Sequence, residues 1–142
     1  MRDYTHKVQY YETDKMQITH HSNYIRIMEE ARIDFLSQIG WGYDKMENEG
    51  IISPVVSVTC DYKRSTSFPD MIHVSICVLE LSAVKLTLGY TMTVSDKVVC
   101  TASSTHCFLN QNGRPISLKK QYPEFYSLLE SIKAKNEQEN AH

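Results

Sequence analysis

The sequence predicts an α+β fold in which an antiparallel sheet of about five strands wraps around one long helix, with a short second helix and a C-terminal helix. Three observations predict it. Between Ser22 and Gly40, apolar residues recur every three or four positions. From Pro54 to Phe108 the pattern becomes mostly alternating, as in strands with one face on a core. Only short turn signals separate the alternating runs, so consecutive strands pair antiparallel.

Taken in order, Thr5 to Thr13 is rich in β-formers and reads as a first strand. A polar loop leads to the long helix, with Ser22 as N-cap, Gly40 in the C′ position, and Ile25, Met28, Arg32, Phe35, Leu36 and Ile39 as its stripe. Arg32 interrupts that stripe, its stem able to pack beside the core. Asp44 and Glu47 form a capping-box-like start to the short helix, which Gly50 ends. Four strands follow, with Val56, Val58, Cys60 and Tyr62 in the first and Ile72, Val74, Ile76 and Val78 in the second. Leu86, Leu88, Tyr90, Met92 and Val94 mark the third, and Val98, Cys100, Ala102 and Phe108 the fourth. Turns fall at Phe68-Pro69-Asp70, Ser95-Asp96-Lys97 and Asn110-Gln111-Asn112-Gly113. Pro123 opens the last helix, carrying Phe125, Leu128, Leu129 and Ile132, and the polar tail is expected to fray from about residue 133.

The 142 residues suit a single domain spanning 1–142. A net charge of −2 excludes a generally basic surface, so nucleic acid and anionic membrane are not expected partners. There is no apolar signal segment and no run long enough to span a bilayer. With no Cys-x-x-Cys pair, Cys60, Cys77, Cys100 and Cys107 read as buried thiols on strands, and the expected location is cytoplasmic.

The chemistry gathers between Tyr10 and Tyr24. Asp14 is a carboxylate at the end of the first strand, and His21 stands where the loop enters the long helix. A helix start offers unsatisfied N–H groups and a partial positive charge suited to an oxyanion. Acyl transfer or hydrolysis is the implied chemistry. Along an extended strand Tyr10 and Asp14 would lie about 13 Å apart on one face. Adjacent His20 and His21 on an extended segment would point opposite ways, and no zinc-type spacing is present, so no metal is expected. Lys63 and Arg64 form the best local basic cluster for a phosphate, with Lys85 weaker.

Tyr-x-x-Thr-Asp, then His-His-x-Asn-Tyr, Glu-Glu-Ala-Arg and Pro-Val-Val resemble the hotdog-fold thioesterases of the 4-hydroxybenzoyl-CoA thioesterase type, over roughly Lys7 to Glu130. The resemblance implies an acyl-CoA or acyl-carrier thioester as substrate, no cofactor beyond the CoA of the substrate, and a homodimer or homotetramer joined edge to edge. It implies Asp14 as base or nucleophile, the His21 backbone N–H as oxyanion donor, Tyr10 as a third catalytic residue, and Tyr24 either lining the acyl pocket or packing. Two departures stand out. Gln17 occupies a loop position where the family usually has glycine, and Ile27 replaces a common tryptophan. Gln17 predicts either strain or another loop shape, and it keeps a second reading open, an acyl-CoA-binding module without catalysis. Hydratase chemistry on the same fold is a third.

Overall fold

In a computed structural model, which describes residues 1–140, five strands form one antiparallel sheet. The elements run β1 (Tyr4–Lys7), a 3-10 turn (Tyr10–Glu12), α1 (Ser22–Gln38), α2 (Tyr43–Glu49), β2 (Val55–Tyr62), β3 (Met71–Leu81), β4 (Lys85–Val94), β5 (Lys97–Cys107), α3 (Leu118–Gln121) and α4 (Pro123–Asn140). Strand order is β1-β3-β4-β5-β2. The last three strands form the expected meander. β2, however, pairs with β5 at the far edge, so residues 63–70 cross the sheet before β3 begins.

Ser95 and Asp96 both take positive φ in the β4–β5 turn, the two-residue hairpin whose twist matches its strands. Asn110 Oδ1 accepts from the Asn112 and Arg114 N–H groups, and Gly113 adopts φ 78°, which fixes the turn after β5.

Helix α1 buries Tyr24, Ile27, Met28, Ala31 and Phe35. That face is rotated from the expected stripe, because Ile25 is exposed and Arg32 and Leu36 are only half-buried. The helix carries apolar residues on two faces, and only docking selects which one enters the core. Gly42, not Asp44, is the N-cap of α2, while Gly50 ends it at φ 75°. At the far end of the core Phe125 of α4 stacks on Trp41, with ring centroids 4.4 Å apart. Helix α4 runs on to Asn140, past the expected fraying point. Its extension is tied down by a Lys133–Glu137 ion pair and by the Val78 N–H donating to Asn136 Oδ1 at 2.9 Å. The four cysteines are free, but only Cys100 is buried as expected; Cys60, Cys77 and Cys107 are half-buried.

The outer edge of β2 is unpaired among the described residues. Val55, Val56 and Tyr62 on it are each about half exposed, an apolar edge of the kind that pairs with another strand.

Candidate active site

The first strand ends earlier than its composition suggests. After Lys7 the chain bends into the 3-10 turn, so Tyr10 and Asp14 do not lie on one extended strand. The bend is caused by a buried carboxylate. Glu12 is 2% exposed, and its carboxylate accepts from the Gln9 N–H at 2.7 Å and from His6 Nε2 at 2.9 Å, and pairs with Arg26. Burial alone would raise its pKa. The Gln9 N–H, His6 and Arg26 more than offset that, and the carboxyl sits below its ordinary value. The Gln9-x-x-Glu12 spacing of a capping box was the available signal.

The Glu12 backbone then ties the loop to the helix. Its carbonyl accepts from the His20 N–H at 2.8 Å and from Asn23 Nδ2 at 3.0 Å. Between those anchors, Thr13 and Thr19 bridge, the Asp14 N–H donates to the Ile18 carbonyl, and the Gln17 N–H donates to the Asp14 carbonyl, both at 2.9 Å. Such a hairpin needs a left-handed residue before the return strand. Gln17 supplies it at φ 66°. The first of the two sequence alternatives therefore holds: the glycine-type loop shape is kept, with Gln17 strained. Asp14 is exposed, and its Oδ1 accepts from the Met16 N–H at 2.8 Å, leaving Oδ2 without a partner among the described residues.

His21 is the N-cap residue of α1, with φ −58°. Its carbonyl accepts from the Tyr24 N–H at 3.1 Å, whereas its own N–H donates to nothing among the described residues. Ser22 does not cap the helix. The His20 imidazole does so, its Nδ1 accepting from the Ser22 N–H at 3.2 Å and lying 2.8 Å from Ser22 Oγ. The two histidine rings stack at 4.3 Å instead of pointing apart, because this segment is already turning into the helix.

The remaining candidates separate. Tyr24 packs and does not line an open pocket: it is 3% exposed, and its hydroxyl bonds Thr66 Oγ1 at 2.9 Å, which in turn donates to Thr19 Oγ1 at 2.6 Å. Burial raises its pKa. This brace holds the loop's return strand against residues 63–70. Tyr10 is 76% exposed, its ring set edge-on to Phe68, outside the core. Lys63 and Arg64 are exposed and follow Tyr62, whose hydroxyl reaches the His21 carbonyl at 3.4 Å, so the basic cluster and His21 share one end of β2. Lys85 pairs with Cys107 at the opposite end. Among the described residues, no group of three His, Cys, Asp or Glu side chains is arranged to hold a metal. No helix among the described residues is long and apolar enough to cross a membrane.

The loop thus presents an exposed Asp14 carboxylate next to a left-handed Gln17, and α1 begins at a His21 amide undonated among the described residues. Residues 8–135 match the model of the thioesterase-like superfamily. The chain belongs to that superfamily. It is 37% identical over 121 residues to an Aquifex aeolicus protein provisionally named an esterase, a match covering 85% of this chain and 94% of the other. It is 30% identical over 129 residues to a Bacillus subtilis protein provisionally named an acyl-CoA thioesterase, covering 89% and 94%. Among solved structures, the DHNA-CoA thioesterase of Staphylococcus aureus superposes with TM-score 0.89 at 29% identity, over 96% of this chain and 93% of that one. This member of the superfamily has the hotdog fold and is a thioester hydrolase.

Proposed function

We propose that the protein hydrolyses acyl-CoA to the free acid and CoA, with Asp14 as the reacting carboxylate and the His21 N–H as oxyanion donor. The observation that carries this reading is the His21 amide at the start of α1, undonated and tied through Glu12 to the loop that presents Asp14. The thioester carbonyl oxygen gains charge as its carbon is attacked, and a fixed N–H at a helix start stabilises that charge. Asp14 Oδ2 either attacks the carbonyl carbon, expelling the thiolate to leave a mixed anhydride that water cleaves, or takes a proton from the attacking water. Lys63 and Arg64 would meet the CoA phosphates. The left-handed Gln17 supports turnover over binding alone, because the loop shape survives the loss of glycine.

The working unit in this reading is a homodimer joined through the two β2 edges. An exposed Asp14 and His21 on a single chain give little means of excluding water, and a partner supplies the missing wall.

A panel of acyl-CoA and acyl-carrier thioesters tests the assignment. Asp14→Asn should lower kcat about 100- to 10,000-fold. His21→Pro, which suits φ −58° but removes the N–H, should cost about 100- to 1,000-fold, and His21→Ala much less. Unchanged turnover in Asp14→Asn would refute the role given to it.

A further inference from the structure

The face of α1 that stays out of the core lines a cavity of ≈ 500 Å³ with α2 and the segment leading to β2. Ile33, Leu36, Met46 and Ile51 give it apolar walls, and Arg32 stands among them. A guanidinium within apolar walls is costly unless it is paired, and Arg32 has no ion pair among the described residues. Its polar contact is His106 Nδ1 at 3.5 Å.

That contact begins a polar chain through the core. His106 Nε2 lies 2.7 Å from Ser104 Oγ, which lies 2.6 Å from the Tyr90 hydroxyl. Burial, with the Arg32 charge beside it, pushes the His106 pKa down to about 4, so the ring is neutral near pH 7. A neutral ring can accept at Nδ1 from Arg32 while its Nε2–H donates to Ser104. The chain holds one edge of the guanidinium and leaves its other donors to the cavity. Glu29 and Glu47 also line this space, both on exposed positions. Their charges disfavour an anionic ligand, whereas a hydroxyl or carbonyl oxygen can accept from Arg32 without that repulsion.

Ile52 and Ser53, at the Val55 end of β2, also line the cavity, while His21 lies at the Tyr62 end. Within one chain those ends are about 23 Å apart along the strand. Two-fold antiparallel pairing of two β2 edges sets the Val55 end of one copy against the Tyr62 end of the other. The cavity of each protomer then faces the reacting groups of its partner.

We propose that Arg32 is a specificity-determining residue that selects acyl groups carrying a neutral oxygen function at their far end, and that it acts on the site of the partner protomer. This rests on the hydrolase and dimer readings above. The test compares matched pairs, benzoyl-CoA with 3- and 4-hydroxybenzoyl-CoA, and hexanoyl-CoA with 6-hydroxyhexanoyl-CoA, by kcat/KM. Dissociation constants of the matching non-hydrolysable thioether analogues are measured alongside. At least one hydroxylated member should be favoured about 10- to 100-fold. Arg32→Met should bring that ratio to near one, and Arg32→Lys should lower it at least threefold. Thermal melting establishes that each variant folds, and if the methionine variant does not, the lysine variant decides. No preference in the wild type, or a preference untouched by these changes, overturns the proposal. If no thioester is turned over, the hydrolase reading fails, while the thioether ratios still decide the role of Arg32. Co-expressing Asp14→Ala with Arg32→Met chains separates the two geometries. Hydroxyl preference regained in the mixed dimer supports action across the interface, and a ratio that stays near one refutes it.

Discussion

Replacing Glu12 by glutamine tests whether the buried carboxylate holds the loop. Glu12 has no exposed side-chain surface and accepts from the Gln9 N–H, His6 and Arg26. Glutamine fills the same volume but cannot accept from all three as an anion. Arg26 is 43% exposed, so solvent compensates part of its loss. His6 is only 10% exposed, and its partner is lost almost in full. Charged hydrogen bonds are worth about 1.5–3 kcal/mol each, so the discounted total is roughly 3 kcal/mol. At about 2.1 cal/mol/K per residue of unfolding entropy, that is a fall of about 10 °C in Tm for a chain of 142 residues. The assay is urea and thermal unfolding of wild type and Glu12→Gln at equal protein concentration, followed by circular dichroism. The Glu12 pKa is depressed in the fold, so its stabilisation is complete above the unfolded value near 4.5 and is lost as pH falls through the lower folded value. The gap between the two proteins should therefore hold from pH 7 to about pH 4.5 and close below it. A loss under about 1 kcal/mol at pH 7, or a gap that widens in acid, would refute the reasoning.

Gln17→Gly should raise stability by roughly 0.5 kcal/mol, since relief of the left-handed strain slightly exceeds the entropy glycine adds to the unfolded chain. A measurable loss in urea unfolding would show that φ 66° carries no strain. Val56→Asp, at a residue 53% exposed on the unpaired edge, should shift the protein to monomer in sedimentation and lower kcat/KM with it. A dimer that survives the change would place the interface elsewhere.

The elements themselves were legible because periodicity and turn chemistry are local. Gly40 and Gly50 end the helices, Asn110 to Gly113 turns, and Pro123 opens α4, each on the strength of neighbours within a few residues. The motif also singles out Asp14 and His21 as the proposed reacting groups, since it keeps residue type and spacing together. The misplacements are those that depend on distant partners. The first strand stops at Lys7 because Glu12 is drawn inward by Arg26, fourteen positions away. Tyr24 is a brace because Thr66 arrives from the far side of β2 to accept its hydroxyl. Ser104 and His106 are polar residues on an alternating strand, yet both are buried by elements distant in the chain.

By itself the sequence determined the α+β class, the order of most elements and the motif proposed to carry the chemistry, because these follow from side-chain period, backbone preference and residue spacing. Only the tertiary structure decided that β2 stands at the sheet edge, which face of α1 is buried, and that Arg32 looks into a cavity backed by His106. Those outcomes depend on which of two apolar helix faces docks and which strand closes on β5. Such choices are settled by the packing of residues far apart in the chain, and no local pattern records them.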